Sequence, residues 1–273
     1  MGIIDSERRL WLATALALTM LAETDSAWAL PSCAGPIEVR DIKVARVEKN
    51  GDLVLEDGRA VRPEGLILPA GARDHAPAYL AEQAVATIND FAAGRRVTLS
   101  AFYPKEDRYG RLRAQVFFAN ASDEPWLQIA LLRRGFARVA MSPDRHECAD
   151  ELYGAEKEAR AKRFGIWATD FYAVRAPDNL DDATGTFQIV EGRAVSAAVK
   201  DGRGYIDFGD DWRRDFKVTI SPEDMKRFRD AGVDPRTYAG LALRVRGFVE
   251  RLGGPEIEIA SPADIEVVQA PRQ

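Results

Sequence analysis

The chain has 273 residues, 46% of them hydrophobic and 30% charged, enough for one large core or two modest ones. A formal net charge of −5 argues against a strongly basic nucleic-acid coat protein, so any anion-binding surface has to be a local patch. Two cysteines and two histidines are too few for a structural zinc site, which takes about four soft ligands at close spacing.

At the start of the chain Arg8 and Arg9 precede an apolar run from Leu10 to Ala22, and Ala27-Trp28-Ala29 offers small residues in an A-x-A pattern. This reads as a secretory signal peptide over 1–29, although Asp5 and Glu7 dilute its positive n-region. A membrane anchor is the alternative, but the run falls short of the roughly 20 apolar residues that cross a bilayer. Cleavage after Ala29 would leave an exported chain, periplasmic or secreted, with no membrane span. Cys33 and Cys148 both survive that processing, either as two buried thiols or, in an oxidising space, as one long-range disulfide. Closing a loop of about 115 residues would stabilise the fold by roughly 4 to 5 kcal/mol.

From Pro36 to Leu68 short β-prone runs alternate with Asn50-Gly51 and Asp57-Gly58, dipeptides that permit the positive φ of tight turns, which predicts a three-stranded meander. Between His75 and Gly94, Tyr79, Leu80, Ala84, Ile88 and Phe91 recur near the helical period, with Pro77 in a first-turn position and Gly94 as the stop. Strands follow over Arg95 to Phe102 and Leu112 to Phe118, then helices over Glu124 to Arg134 and Cys148 to Arg163. Trp126 and Trp167 fall on inward faces, and Glu156 with Arg160 and Glu158 with Lys162 have the i to i+4 order that supports a helix locally.

A polar, breaker-rich stretch, Ala176-Pro177-Asp178-Asn179-Leu180-Asp181-Asp182, marks a linker over 171–185 between a first domain at 36–170 and a second at 186–270. The second domain restarts as strands, one helix from Ser221 to Ala231, and further strands, the layout of an OB-fold. The fold class is therefore α+β and mainly β: a five-stranded OB barrel with three helices, followed by a second small OB-like barrel.

Asp107-Arg108-Tyr109-Gly110-Arg111 closing a hairpin, the run from Trp126 to Val139, and a Lys/Arg/Ala/Glu helix ending Phe164-Gly165-Ile166-Trp167 occur in an order that resembles the staphylococcal nuclease (thermonuclease) family. Asn50-Gly51-Asp52 and Val61-Arg62 fit the same template, so the resemblance spans about Val39 to Trp167. It implies calcium-assisted phosphodiester hydrolysis, with two arginines neutralising charge on the phosphate and a glutamate activating water. Arginine suits phosphate because its permanent charge donates two parallel hydrogen bonds, and calcium takes several oxygens, usually with at least two carboxylates.

On that template Arg62 and Arg111 take the two arginine positions and Asp52 one metal-ligand position. The family's Asp-x-Pro-Glu is replaced by Ile67-Leu68-Pro69-Ala70, so the second metal ligand and the catalytic glutamate are both missing. Losing a general base alone costs about 10² to 10⁴ in rate, and a Ca2+ site with one carboxylate is incomplete. The nearest other acids are Glu64 and Asp74. What remains is a phosphate-binding set of Arg62, Arg108, Tyr109, Arg111 and Arg113, with Tyr109 able to stack on a base. The bland alternative is a rim of surface ion pairs, Arg62 with Glu64 and Arg113 with Asp107, worth about 0 to 1 kcal/mol each.

His75 and His146 fall in loops and receive no role. Trp212, Arg213 and Arg214, in the loop from Gly209 to Asp215, form either a second ligand-binding patch or a cover for a sheet edge. Three functions follow: a degenerate nuclease that binds single-stranded nucleic acid or another phosphate-bearing ligand, an active calcium-dependent phosphodiesterase that recruits Glu64, Asp74 or a second-domain acid, and an envelope adaptor without a nucleic-acid role.

Overall fold

A computed structural model describes residues 30–118 and 124–268. The expected leader over 1–29 lies outside the described residues.

The expected meander forms as β1 (Ile37–Val47), β2 (Leu53–Leu55) and β3 (Ala60–Pro63), followed by a short β4 (Leu66–Ile67). Helix α1 (Ala78–Ala92) starts just after Pro77 and buries Leu80, Ala84 and Ile88, the helical-period positions, against the strands. Strands β5 (Arg96–Ser100) and β6 (Leu112–Phe118) complete a closed barrel in the order β1-β2-β3-β6-β5. All pairs in it are antiparallel except β3 with β6, which run parallel.

Helix α2 (Leu127–Arg133), β7 (Arg138–Val139) and α3 (Ala149–Lys162) follow, and β7 pairs with β4 in a two-stranded ladder that the sequence did not announce. The ends of α2 and α3 meet at two glycines. Gly135 and Gly165 both have positive φ, and a Cβ on either would stand 2.1 to 2.2 Å from the other turn's carbonyl oxygen, so no larger residue allows this approach. Trp126 and Trp167 are buried as expected, Trp126 donating from its indole nitrogen to Gln115.

The second part is a sheet of seven strands: β8 (Phe187–Arg193), β9 (Ser196–Lys200), β10 (Arg203–Asp207), β11 (Lys217–Ile220), β12 (Ala242–Leu252), β13 (Gly254–Glu258) and β14 (Ile265–Val267), with α4 (Met225–Asp230) between β11 and β12. β8 and β9 are one run broken at Ala194-Val195. Counted together they pair with β10 on one side and β12 on the other, while β11 and β13 run parallel. The pairing order repeats that of the first barrel, including its one parallel pair, which is the OB pattern expected from the strand and helix order.

The stretch read as a linker is packed: Leu180 and Ala183 belong to the second core, and Tyr172 to a cluster with Leu80, Trp167 and Ile189. Cys33 and Cys148 form a disulfide that ties the chain ahead of β1 to the start of α3. No helix among the described residues is long and apolar enough to cross a membrane.

Two arginines cross between the halves. Arg138 on β7 is 2% exposed and donates to Asp74 and to the Phe187 carbonyl. Arg246 on β12 is 1% exposed; its Nη1 donates to both oxygens of Glu156 on α3, at 3.2 and 3.0 Å, and to the Val139 carbonyl. Glu156 therefore spends its charge on Arg246, with Arg160 a more distant 3.9 Å away, and Glu158 pairs with Arg133. Of the two i to i+4 pairs expected along α3, Glu156 with Arg160 is present but secondary, because Glu156, fully hidden from water, has to be compensated by the nearest buried cation, and Glu158 turns to Arg133 in place of Lys162.

Candidate functional site

The site is built on the turn after β1. Asn50 Nδ2 donates to Asp52 Oδ2 at 2.7 Å and the Asp52 N–H donates back to Asn50 Oδ1, so the turn holds the carboxylate in place. Gly51 has φ +81 and lies under Leu68, whose Cδ1 would be 2.3 Å from an added Cβ. Asp52 is 3% exposed. Arg62 on β3 donates from Nη2 to Asp52 Oδ2 at 3.1 Å and pairs through Nε with Oδ1. Arg111, just ahead of β6, donates from Nη1 to the same Oδ2 at 2.9 Å and from Nε to Asp107 Oδ2 at 2.7 Å. The parallel pairing of β3 with β6 puts Val61 beside Leu112, which is why two arginines so far apart in sequence converge on one carboxylate.

Burial works against the charge on Arg111, but its bonds to Asp107 and Asp52 outweigh that and hold it above the ordinary arginine value. Burial likewise opposes the charge on Asp107, and hydrogen bonds from Arg111 and from the turn's N–H groups pull it below the usual carboxylate range.

The expected ion pairs are exchanged. Arg62 takes Asp52 and leaves Glu64 to Arg113, which donates from Nε at 2.8 Å to Glu64 and from both Nη groups to Asp144. The reason is burial: Asp52 and Glu64 are both nearly hidden from water, and each takes the guanidinium its strand neighbour can bring. Asp144, together with Ser142, whose hydroxyl donates to Glu64 at 2.6 Å, is a participant that sequence reasoning missed. Neither lies within one helical or strand repeat of its partner, so no local pattern marks it.

Arg62, Arg108, Tyr109, Arg111 and Arg113 all line one open cleft. Tyr109 is 67% exposed, not packed on the barrel, and its ring lies 4.9 and 5.0 Å from the Arg108 and Arg111 guanidinium carbons. The cleft is electrically balanced: four arginines line it against Glu64, Glu106, Asp107 and Asp144.

Ile67 lies in β4, and Ala70 lines a separate groove beside the cleft. The two substitute acids are engaged elsewhere. Glu64 carries Arg113 and Ser142, while Asp74 accepts from Arg138, Tyr172 and the Ala70 N–H. The calcium ion implied by the resemblance does not fit these residues. Its one remaining carboxylate, Asp52, gives both oxygens to guanidinium groups, and the residue packed over the neighbouring Gly51 is the apolar Leu68. Among the described residues the one acid and thiol group with metal-ligand spacing is Cys33, Cys148 and Glu151, whose sulfurs are spent in the disulfide.

His75 Nδ1 bonds the Asp182 carbonyl at 2.8 Å, and His146 is exposed. Trp212 is 58% exposed under Arg213, and the backbone of Arg213 and Arg214 lies against Gly253 and Gly254 in the turn from β12 to β13.

Residues 71–169 match the family described as Staphylococcal nuclease homologue. The matched span includes Arg108 to Arg113 and begins after Asp52 and Arg62, which join the site through the barrel geometry. The chain is also 39% identical over 64 residues, 23% of its length, to a protein of Methanocaldococcus jannaschii described as Uncharacterized protein MJ1439. It covers 30% of that relative's length.

Proposed function

Given that the chain carries a staphylococcal nuclease-like domain, we propose that it is an exported phosphate-binding protein. In this reading Arg62 and Arg111 hold the backbone of single-stranded nucleic acid without efficient hydrolysis. The observation that carries the reading is the convergence of both arginines on Asp52, with Glu64 and Asp74 each committed to other partners. Asp52 fixes the two guanidinium groups, and their exposed edges donate to phosphate oxygens. Tyr109 offers a face on which a base stacks. The Cys33–Cys148 bond supports an oxidising compartment.

Because the acids of the cleft balance its arginines, binding is modest and falls steeply with salt. The test follows mature protein from Leu30 with fluorescent single-stranded DNA and RNA, by anisotropy and by cleavage, with calcium or chelator. Binding without cleavage is expected. It should weaken at least about tenfold in Arg62→Ala plus Arg111→Ala, since each lost phosphate contact also removes about one unit of salt slope. Calcium-dependent cleavage that vanishes in the same variant would overturn the proposal and turn attention to Glu64, which lines the same cleft. No binding and no cleavage would leave the envelope adaptor.

A further inference from the structure

Beside the arginine cleft runs a second concavity of different character. It lies between β4, helix α1 and β12, and its volume is about 630 Å³. Its floor is apolar: Ile67 and Leu68 from the stretch that replaces the family's acids, Val85 and Ile88 from one face of α1, and Phe248, 54% exposed, from the second sheet. Its rim is cationic. Lys49 and Arg73 line it and are exposed, and neither side chain has an ion pair or hydrogen bond among the described residues. Arg62 also lines it but is paired with Asp52, and the lone acid in the lining, Asp74, is buried and held by Arg138 and Tyr172. Unlike the cleft, this groove carries excess positive charge.

We infer that the groove binds a single-chain anionic amphiphile, its hydrocarbon chain along Leu68, Val85 and Phe248 and its acidic head between Lys49 and Arg73. A peptide fits less well. Burying its amides needs hydrogen-bonding partners, and the polar side chains of the floor are already spent, Asn50 on Asp52 and Asp74 on Arg138. A hydrocarbon chain makes no such demand, and its burial is driven by the apolar area alone. The inference does not rest on the nucleic-acid reading: Arg62 lines both concavities, but Lys49, Arg73 and Phe248 line the groove alone and Arg111 the cleft alone.

The experiment titrates mature protein from Leu30 by calorimetry with octanoate, decanoate and dodecanoate below their micelle concentrations, with dodecanol as the uncharged arm and inorganic phosphate as the headgroup arm. Affinity should rise about tenfold for every two methylenes added. Dodecanol should bind at least about tenfold more weakly than dodecanoate, and inorganic phosphate should not displace the latter. Val85→Glu on α1 and Phe248→Glu on the second sheet should each weaken dodecanoate at least about tenfold, as should Lys49→Glu plus Arg73→Glu. Phe248 packs edge-on against the buried Phe187, so the Lys49 and Arg73 change, at two exposed positions, is the variant that leaves the fold intact, and Arg111→Ala should leave dodecanoate affinity unchanged. Affinity independent of chain length, or undiminished in the Phe248 and Lys49/Arg73 variants, would overturn the inference. Loss in Arg111→Ala alone would assign the ligand to the arginine cleft instead.

Discussion

Replacing Cys33 and Cys148 together by serine should lower the stability of the mature chain by about 4 to 5 kcal/mol, read as a fall in the urea midpoint. The bond closes a loop of 115 residues, and the chain-entropy estimate for a loop of that size is near 5 kcal/mol, since the open chain regains the freedom that the cross-link removes. The loop contains the barrel strands from β1 to β6, both helices α1 and α2, and the Asp52, Arg62 and Arg111 cluster, so the constraint acts on the whole site. For a chain of this size the loss corresponds to roughly 8 to 20 °C in melting temperature. Reductant added to the native protein should reproduce the fall, and protein made without oxidation should start from the lower value. A change under about 1 kcal/mol would mean that the reduced chain keeps its ends together by other contacts. In that case the disulfide would not account for the stability of the first barrel.

Local pattern reaches as far as local causes do. Asn50-Gly51 and Asp57-Gly58 announce the tight turns of the first meander because each requires a backbone conformation that few residues adopt; Gly51 and Gly58 have φ +81 and +88. The face of α1 is legible from Leu80, Ala84 and Ile88 for the same kind of reason: a 3.6-residue period has one inward side. Convergence of Arg62 and Arg111 is not local, and only the ordered series of motifs along the barrel anticipates it.

Partner choice among charges is where sequence reading stops. Arg113 finds Glu64 and Asp144, 49 and 31 residues away, and Arg246 finds Glu156 at a separation of 90. A charged residue in a strand or helix pattern reads as solvated face, since most such residues are. Nothing in the neighbouring sequence distinguishes the few that fold inward. The ladder of β4 with β7 has the same origin: two residues on each side, paired across a long separation, leave no periodicity to detect.

The replaced acids illustrate a further point about what substitution does to a site. Where the resemblance implies acids, Ile67-Leu68-Pro69-Ala70 lines the groove beside the cleft with apolar side chains, next to the ladder of β4 with β7. Arg62 and Arg111 both close on Asp52. The neutral cleft and the cationic apolar groove adjoin at Arg62, Pro63 and Leu66. They predict different ligands, which is why Arg111 and Phe248 are the positions that separate them.

The other large effect is expected at the crossing between the halves, where Arg246→Met should cost about 3 to 5 kcal/mol, the range for removing one partner of a buried ion pair. Burial opposes the charge on Arg246, yet Glu156, Tyr153 and Glu266 outweigh it and hold the guanidinium above its ordinary value. Removing it strands Glu156, 0% exposed, with only the Val139 N–H and the distant Arg160 for company. Arg246→Met combined with Glu156→Gln should recover part of the loss, because a neutral amide still accepts from Val139 and no carboxylate stays buried without a cation, while Arg160, 11% exposed, gives up its pair with Glu156. Glu266 stays partly exposed and keeps Arg244. The measurement is a double-mutant cycle in urea on the oxidised mature chain, with a coupling between the two sites of at least about 2 kcal/mol expected. Additive losses would mean that Arg246 acts through its stacking on Tyr153, 4.2 Å from ring centroid to guanidinium carbon, and through the Val139 carbonyl, with its charge contributing little.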